Sequence, residues 1–95
     1  MQTDSLPTAK FRAGHIVATP TALEVLTHED ILCGMQRHLA GDWGDVDSHD
    51  HAANERALIE GTRLLSAYQS AQGVKFWIIT EADRSATTIL LPEDY

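Results

Sequence analysis

Val74-Lys75-Phe76-Trp77-Ile78-Ile79-Thr80 is the stretch that decides the fold. It is dense in β-branched and aromatic residues and lies between Gly73 and the polar run Glu81-Ala82-Asp83-Arg84-Ser85, so it reads as a strand. Upstream, Leu64-Leu65-Ser66-Ala67-Tyr68 reads the same way, with Ala71-Gln72-Gly73 as the connecting loop and Gly73 supplying a positive φ. Downstream, Ala86-Thr87-Thr88-Ile89-Leu90-Leu91 forms a third consecutive strand, closed by Pro92. Three strands in succession, joined by short turns, predict an antiparallel meander.

Toward the N-terminus the period changes from strand to helix. Ser48 or Asp47 caps a helix that reaches about Glu60 and stops at Gly61. Before it, Thr27 caps another helix, with Glu29 and Asp30 in its first turn. Ile31, Leu32, Met35 and Leu39 recur there at helical spacing as one apolar face, and Gly41 ends the helix. A short helix through Leu23 and Leu26 precedes it, opened by Thr19-Pro20 or by a capping box of Thr21 with Glu24. Phe11 to Thr19, around Ile16-Val17, reads as a first strand. Residues 1–9 read as a flexible tail and 10–95 as one α+β domain of order β-α-α-α-β-β-β. Its helices are expected on one face of an antiparallel sheet.

The 95 residues carry a net charge of −7, and the acidic excess lies within residues 21–60. Such a field repels phosphate backbones and attracts basic surfaces, so nucleic acid is disfavoured as a partner. No apolar run is long enough for a membrane helix, which needs about 20 residues, and the first residues lack the pattern of a signal peptide. With Cys33 alone there is no internal disulfide, and the cytoplasm is the expected location. Cys33 itself is expected to be a small buried hydrophobe.

Several segments invite chemistry. Asp45, Asp47 and His49 fall at the first, third and fifth places of a calcium loop, but Asp50 stands where that loop needs Gly and Arg56 where it needs Glu. Helix capping explains those acids. His49 and His51 are two apart, a poor spacing for metal on a helix. No metal and no cofactor are therefore expected. Phosphodiester cleavage needs a general acid or base with a cation near the phosphate, which His38, Arg84 and Thr87 would supply. Helices followed by a β-meander are similar in outline to the RelE-like and barnase-like ribonucleases, a likeness of element order alone. The opposing reading has Arg84 paired with Asp83 or Glu81, and His38 finishing its helix. Trp43 and Trp77 both read as core anchors, with a second reading for Trp43. Gly41-Asp42-Trp43-Gly44-Asp45 places a large aromatic among acids in a loop, as a partner-binding anchor would be placed.

Three segments, His38 to Asp45, Arg63 to Tyr68 and Phe76 to Tyr95, resemble a family of small bacterial "plasmid-related" proteins of unknown function, found on plasmids and other mobile elements. The resemblance covers roughly residues 11 to 95. It implies a mobile-element setting and carries over no catalytic residue. The resulting expectation is a non-enzymatic acidic module that binds a basic protein surface through Asp42, Trp43, Asp45 and Asp47, with a small ribonuclease using His38 and Arg84 as the alternative. Pairing of two copies through an exposed sheet edge is a third option.

Overall fold

The computed structural model describes residues 9–95, and the tail expected at 1–9 lies almost wholly outside them. The chain runs β1 (His15–Ala18), α1 (Pro20–Val25), α2 (His28–Leu39), α3 (Ser48–Glu60), β2 (Leu64–Gln69), β3 (Lys75–Thr80) and β4 (Ala86–Leu90), then a single 3₁₀ turn at Pro92–Asp94. It is an α+β fold of three helices and a four-stranded mixed sheet, in spatial order β1-β4-β3-β2. The sheet is not wholly antiparallel. β2 pairs with β3, and β3 with β4, antiparallel; β1 joins the far edge parallel to β4, with Ile16 opposite Thr87. The three helices carry the chain from one edge to the other, and β2, β3 and β4 then walk back, arriving beside β1 in its own direction.

Local chemistry sets the element ends. The Thr19 hydroxyl accepts from the Ala22 N–H, with Pro20 in the first turn of α1. Thr21 is not the cap; its hydroxyl donates to Asp94. Thr27 and Asp30 form a reciprocal capping box at the start of α2. Asp47, rather than Ser48, caps α3 by accepting from the Asp50 N–H, and Gly61 ends that helix at φ 76°.

Alternation along the strands sends Leu64, Ser66, Tyr68, Phe76, Ile78, Thr80, Thr87 and Ile89 toward the helices, all of them buried. Ala22 of α1, Leu26 just beyond its end and Met35 of α2 pack on Phe76, Ile78 and Ile89. Ala57 of α3 packs with Trp43 and Leu64. The expected apolar face of α2 packs on the core through Ile31, Met35 and Leu39, joined by the buried Gly34 and His38, while Leu32 is exposed, as is Cys33, contrary to its expected burial. Gly34 permits close packing on the sheet. A Cβ there would sit 2.9 Å from the Phe76 ring, so only glycine lets the helix come this close to β3.

Candidate functional site

The densest group of polar and aromatic side chains lies between the end of α2 and the sheet. His38, in the last turn of α2, is 0% exposed. Its Nδ1 lies 2.6 Å from the Ser66 hydroxyl and its Nε2 lies 2.9 Å from the Thr80 hydroxyl. Thr80 meets Thr87 across the β3–β4 pair at 2.7 Å, and Thr87 donates to the Ala13 carbonyl at 2.8 Å.

The protons of this chain can be assigned from its last link. Thr87 gives its only hydroxyl proton to Ala13, so it must accept from Thr80. Thr80 has then spent its own proton and accepts from His38 Nε2–H. Nδ1 is thereby left unprotonated, to accept from Ser66. The imidazole is neutral, protonated at Nε2, and every donor along the line points toward Ala13. A second proton on the ring would turn the Ser66 bond around and orphan a buried hydroxyl proton. Burial, followed by the positive charge of Arg84, holds the His38 pKa down from 6.5 to about 4.

Aromatic rings close the pocket around the imidazole. Phe11 meets it edge-on at 5.1 Å and Trp43 at 5.8 Å, while Phe11 and Trp43 stack at 6.2 Å. Trp43 is 1% exposed and donates from Nε1 to Glu55 at 2.8 Å. It is therefore a core residue that anchors its loop from within; of its two readings the core anchor fits, and the one that presents it to a partner is corrected. Gly44 at φ 76° lets the loop run against β2: Ala67 donates to the Trp43 carbonyl at 3.1 Å and accepts from the Asp45 N–H at 2.7 Å. A Cβ on Gly44 would lie 2.1 Å from the Ala67 oxygen.

Arg84 also departs from its expected role. Its guanidinium pairs with neither Asp83 nor Glu81 through a carboxylate; it donates to the carbonyls of Thr62, Glu81 and Ala82 and, at 3.0 Å, to that of Ala57. The residue sits at φ 61°, in the left-handed region, and its side chain ties the β3–β4 turn to the end of α3 while lying 5.7 Å from the Phe11 ring. His38 and Arg84 thus flank Phe11, and Thr87 joins His38 only through Thr80. Both nitrogens of His38 are engaged and its ring is closed off from solvent, so the group builds structure where it stands.

The acids occupy the outside. Asp42 pairs with Arg37 at 2.7 Å and also accepts from the Gly44 N–H; Arg37 is the main cause holding its carboxyl below the usual range. Arg37 lies 4.6 Å over the Tyr68 ring, and Tyr68 donates to the Asp42 carbonyl at 2.6 Å. Burial pushes the Tyr68 phenol up to about 12. Asp45 and Asp47 are exposed, as is Asp50 one turn along. Ligand-capable atoms of Asp47, His49 and Asp50 lie within 4.8 Å of one another, an arrangement that the helix cap accounts for.

No family model, no curated protein and no solved structure matches the chain. None of the helices among the described residues is long and apolar enough to cross a membrane.

Proposed function

We propose that the protein is a non-enzymatic interaction module whose acidic face engages a basic surface on another protein. The observation that carries this reading is the division of labour around residues 38–50. The groups with chemical reach, His38 and Trp43, are spent inside, while Asp45 and Asp47 on a loop fixed from beneath, and Asp50 in the first turn of α3, stand exposed. Trp43 acts as the platform and the carboxylates as the contact; Asp42 is partly neutralised by Arg37 and contributes less. A rigid acidic loop meets a basic surface without the cost of ordering flexible side chains and backbone. The same burial weighs against RNA cleavage by His38 with Arg84 and Thr87. A mobile-element setting and a cytoplasmic location belong to this reading, resting on the resemblance of residues 38–45, 63–68 and 76–95 and on the lone exposed thiol of Cys33.

The test is recovery of partners from host lysate by the tagged protein and by an Asp45→Asn/Asp47→Asn/Asp50→Asn variant. Asn retains the helix cap, so the fold is kept while three charges are removed. At about 0.5 kcal/mol per exposed charge, the variant should recover about tenfold less of a specific partner, with a weaker dependence on salt. Equal recovery by both proteins rejects the proposal.

A further inference from the structure

The two edges of the sheet are finished differently. At the β2 edge the outward backbone groups of Leu65 and Ala67 are taken. The Asn54 side chain donates to the Leu65 carbonyl at 2.7 Å and accepts from the Leu65 N–H at 3.0 Å, and the 43–45 loop does the same for Ala67. At the β1 edge nothing comparable occurs among the described residues. His15 and Thr19 donate inward to Ser85 and Ile89 of the neighbouring strand, so by alternation the N–H and C=O groups of Ile16 and Ala18 point outward. Among the described residues this edge carries no lysine, bulge or covering loop; its protection is its shortness and Pro20 just beyond it. Ile16 and Val17 are 55% and 49% exposed, and Leu23 and Val25 of the adjoining α1 are exposed as well. Together they make up four of the seven large apolar side chains exposed among the described residues, in a stretch whose only charged residue is Glu24.

We infer that β1 is a docking edge for a second copy of this chain, paired antiparallel about a two-fold axis at Val17. In this register Ile16 of each copy lies opposite Ala18 of the other, and these two residues carry the outward-facing polar groups. Centring the pair on Ala18 would bring in Pro20, which has no N–H to offer. Val17 faces its own counterpart as a non-hydrogen-bonded pair, the closer of the two antiparallel spacings.

Charge points to a second copy rather than to an unlike strand. The start of β1 carries Arg12 and His15, both exposed. Its end carries the Asp94 carboxylate, fixed by the hydroxyls of Thr19 and Thr21, with Glu24 just beyond. Antiparallel pairing sets the basic start of one copy against the acidic end of the other, and the two-fold axis repeats the match. The acidic segment 42–50, meanwhile, is tied to the β2 edge, opposite the contact, so the copies meet away from it.

Light scattering on purified chain over a wide concentration range should give twice the chain mass. Val17→Lys places two like charges on the axis and should halve that mass while leaving the circular dichroism spectrum unchanged, because Val17 is already half exposed. A second measurement keeps the test decisive if this variant unfolds. Val17→Cys in a Cys33→Ser background should form an intermolecular disulfide under mild oxidation, since facing Cβ atoms in such a pair lie about 4.5–5.5 Å apart. Ile59→Cys in the same background, at an 87% exposed site on α3, should not. Single-chain mass at every concentration would overturn the inference and leave the edge to some other partner. A doubled mass that persists in folded Val17→Lys, or equal cross-linking of the two cysteine variants, would overturn it too.

Discussion

One face of one sheet carries two kinds of interior. Near α1 the helices meet Phe76, Ile78 and Ile89, and the contacts are apolar throughout. Near the end of α2 they meet Ser66, Thr80 and Thr87, and the contacts are a directed line of hydrogen bonds through His38. Apolar packing is nondirectional and accepts side chains of similar volume. A buried hydrogen-bonded line accepts one set of donors and acceptors, because each member is expensive to leave alone. The first region stabilises the domain; the second fixes which way α2 is turned and where the segment before β1 is tied.

The contrast is broken most sharply by His38→Leu. The isobutyl group occupies much of the space but leaves the Ser66 proton without an acceptor and the Thr80 oxygen without a donor, at about 1–3 kcal/mol each. Unfolding in denaturant should show a loss of about 3–5 kcal/mol. A loss under about 1 kcal/mol would mean that the line is replaceable packing.

Acid probes the same region without a substitution. The unfolded imidazole titrates at 6.5 and the folded one at about 4. Between these values the unfolded chain binds the extra proton, so stability is full above pH 6.5 and falls as the pH drops toward 4. The difference between pH 7 and pH 4 is on the order of 3 kcal/mol. The lowered carboxyls of Asp30, Asp42, Asp83 and Asp94 add a loss of the same sign, starting lower. Denaturant midpoints measured at intervals from pH 7 to pH 4 should fall steadily for the native chain and stay nearly flat down to about pH 5 for His38→Leu. Parallel curves would remove His38 as the cause.

The smallest effect belongs to the apolar half. Ile89→Val deletes one methylene from a buried side chain and should cost about 1 kcal/mol with no change in pH dependence. A pH-dependent cost there would mean that the two regions are coupled.

What could be read in the sequence was what is local. Thr19-Pro20, Thr27 and Gly61 mark helix ends because caps act within three or four residues. The density of Phe76 to Thr80 marks a strand for the same reason. The parallel placement of β1 was not legible, since it depends on where the chain arrives after four further elements. On α2, Ile31, Met35 and Leu39 pack inward as their spacing predicts, but Leu32 is exposed, and Gly34 and His38 complete the buried face although neither looks like a core residue. A clue was nevertheless present: Ser66, Thr80 and Thr87 are polar residues at the inward positions of otherwise apolar strands, and such positions call for a buried partner with two hydrogen-bonding atoms. The size of Trp43 marks it as a core anchor, but its position among acids also fits a partner contact, and its hydrogen-bond partner Glu55 lies on another element. The exposed acids were visible as composition, and the fold assigned them to a loop held from within.

The closure of the β2 edge by Asn54 and the 43–45 loop also sets the valence of the molecule. A sheet open at both ends can add copies indefinitely, each arrival exposing a fresh edge, and grows into a fibre. A sheet with one end stoppered has a single binding valence, and any association through it stops at a closed pair. On this view Asn54 and Gly44 act as chain terminators as much as packing residues, and they keep an otherwise sticky β1 from being an origin of polymerisation.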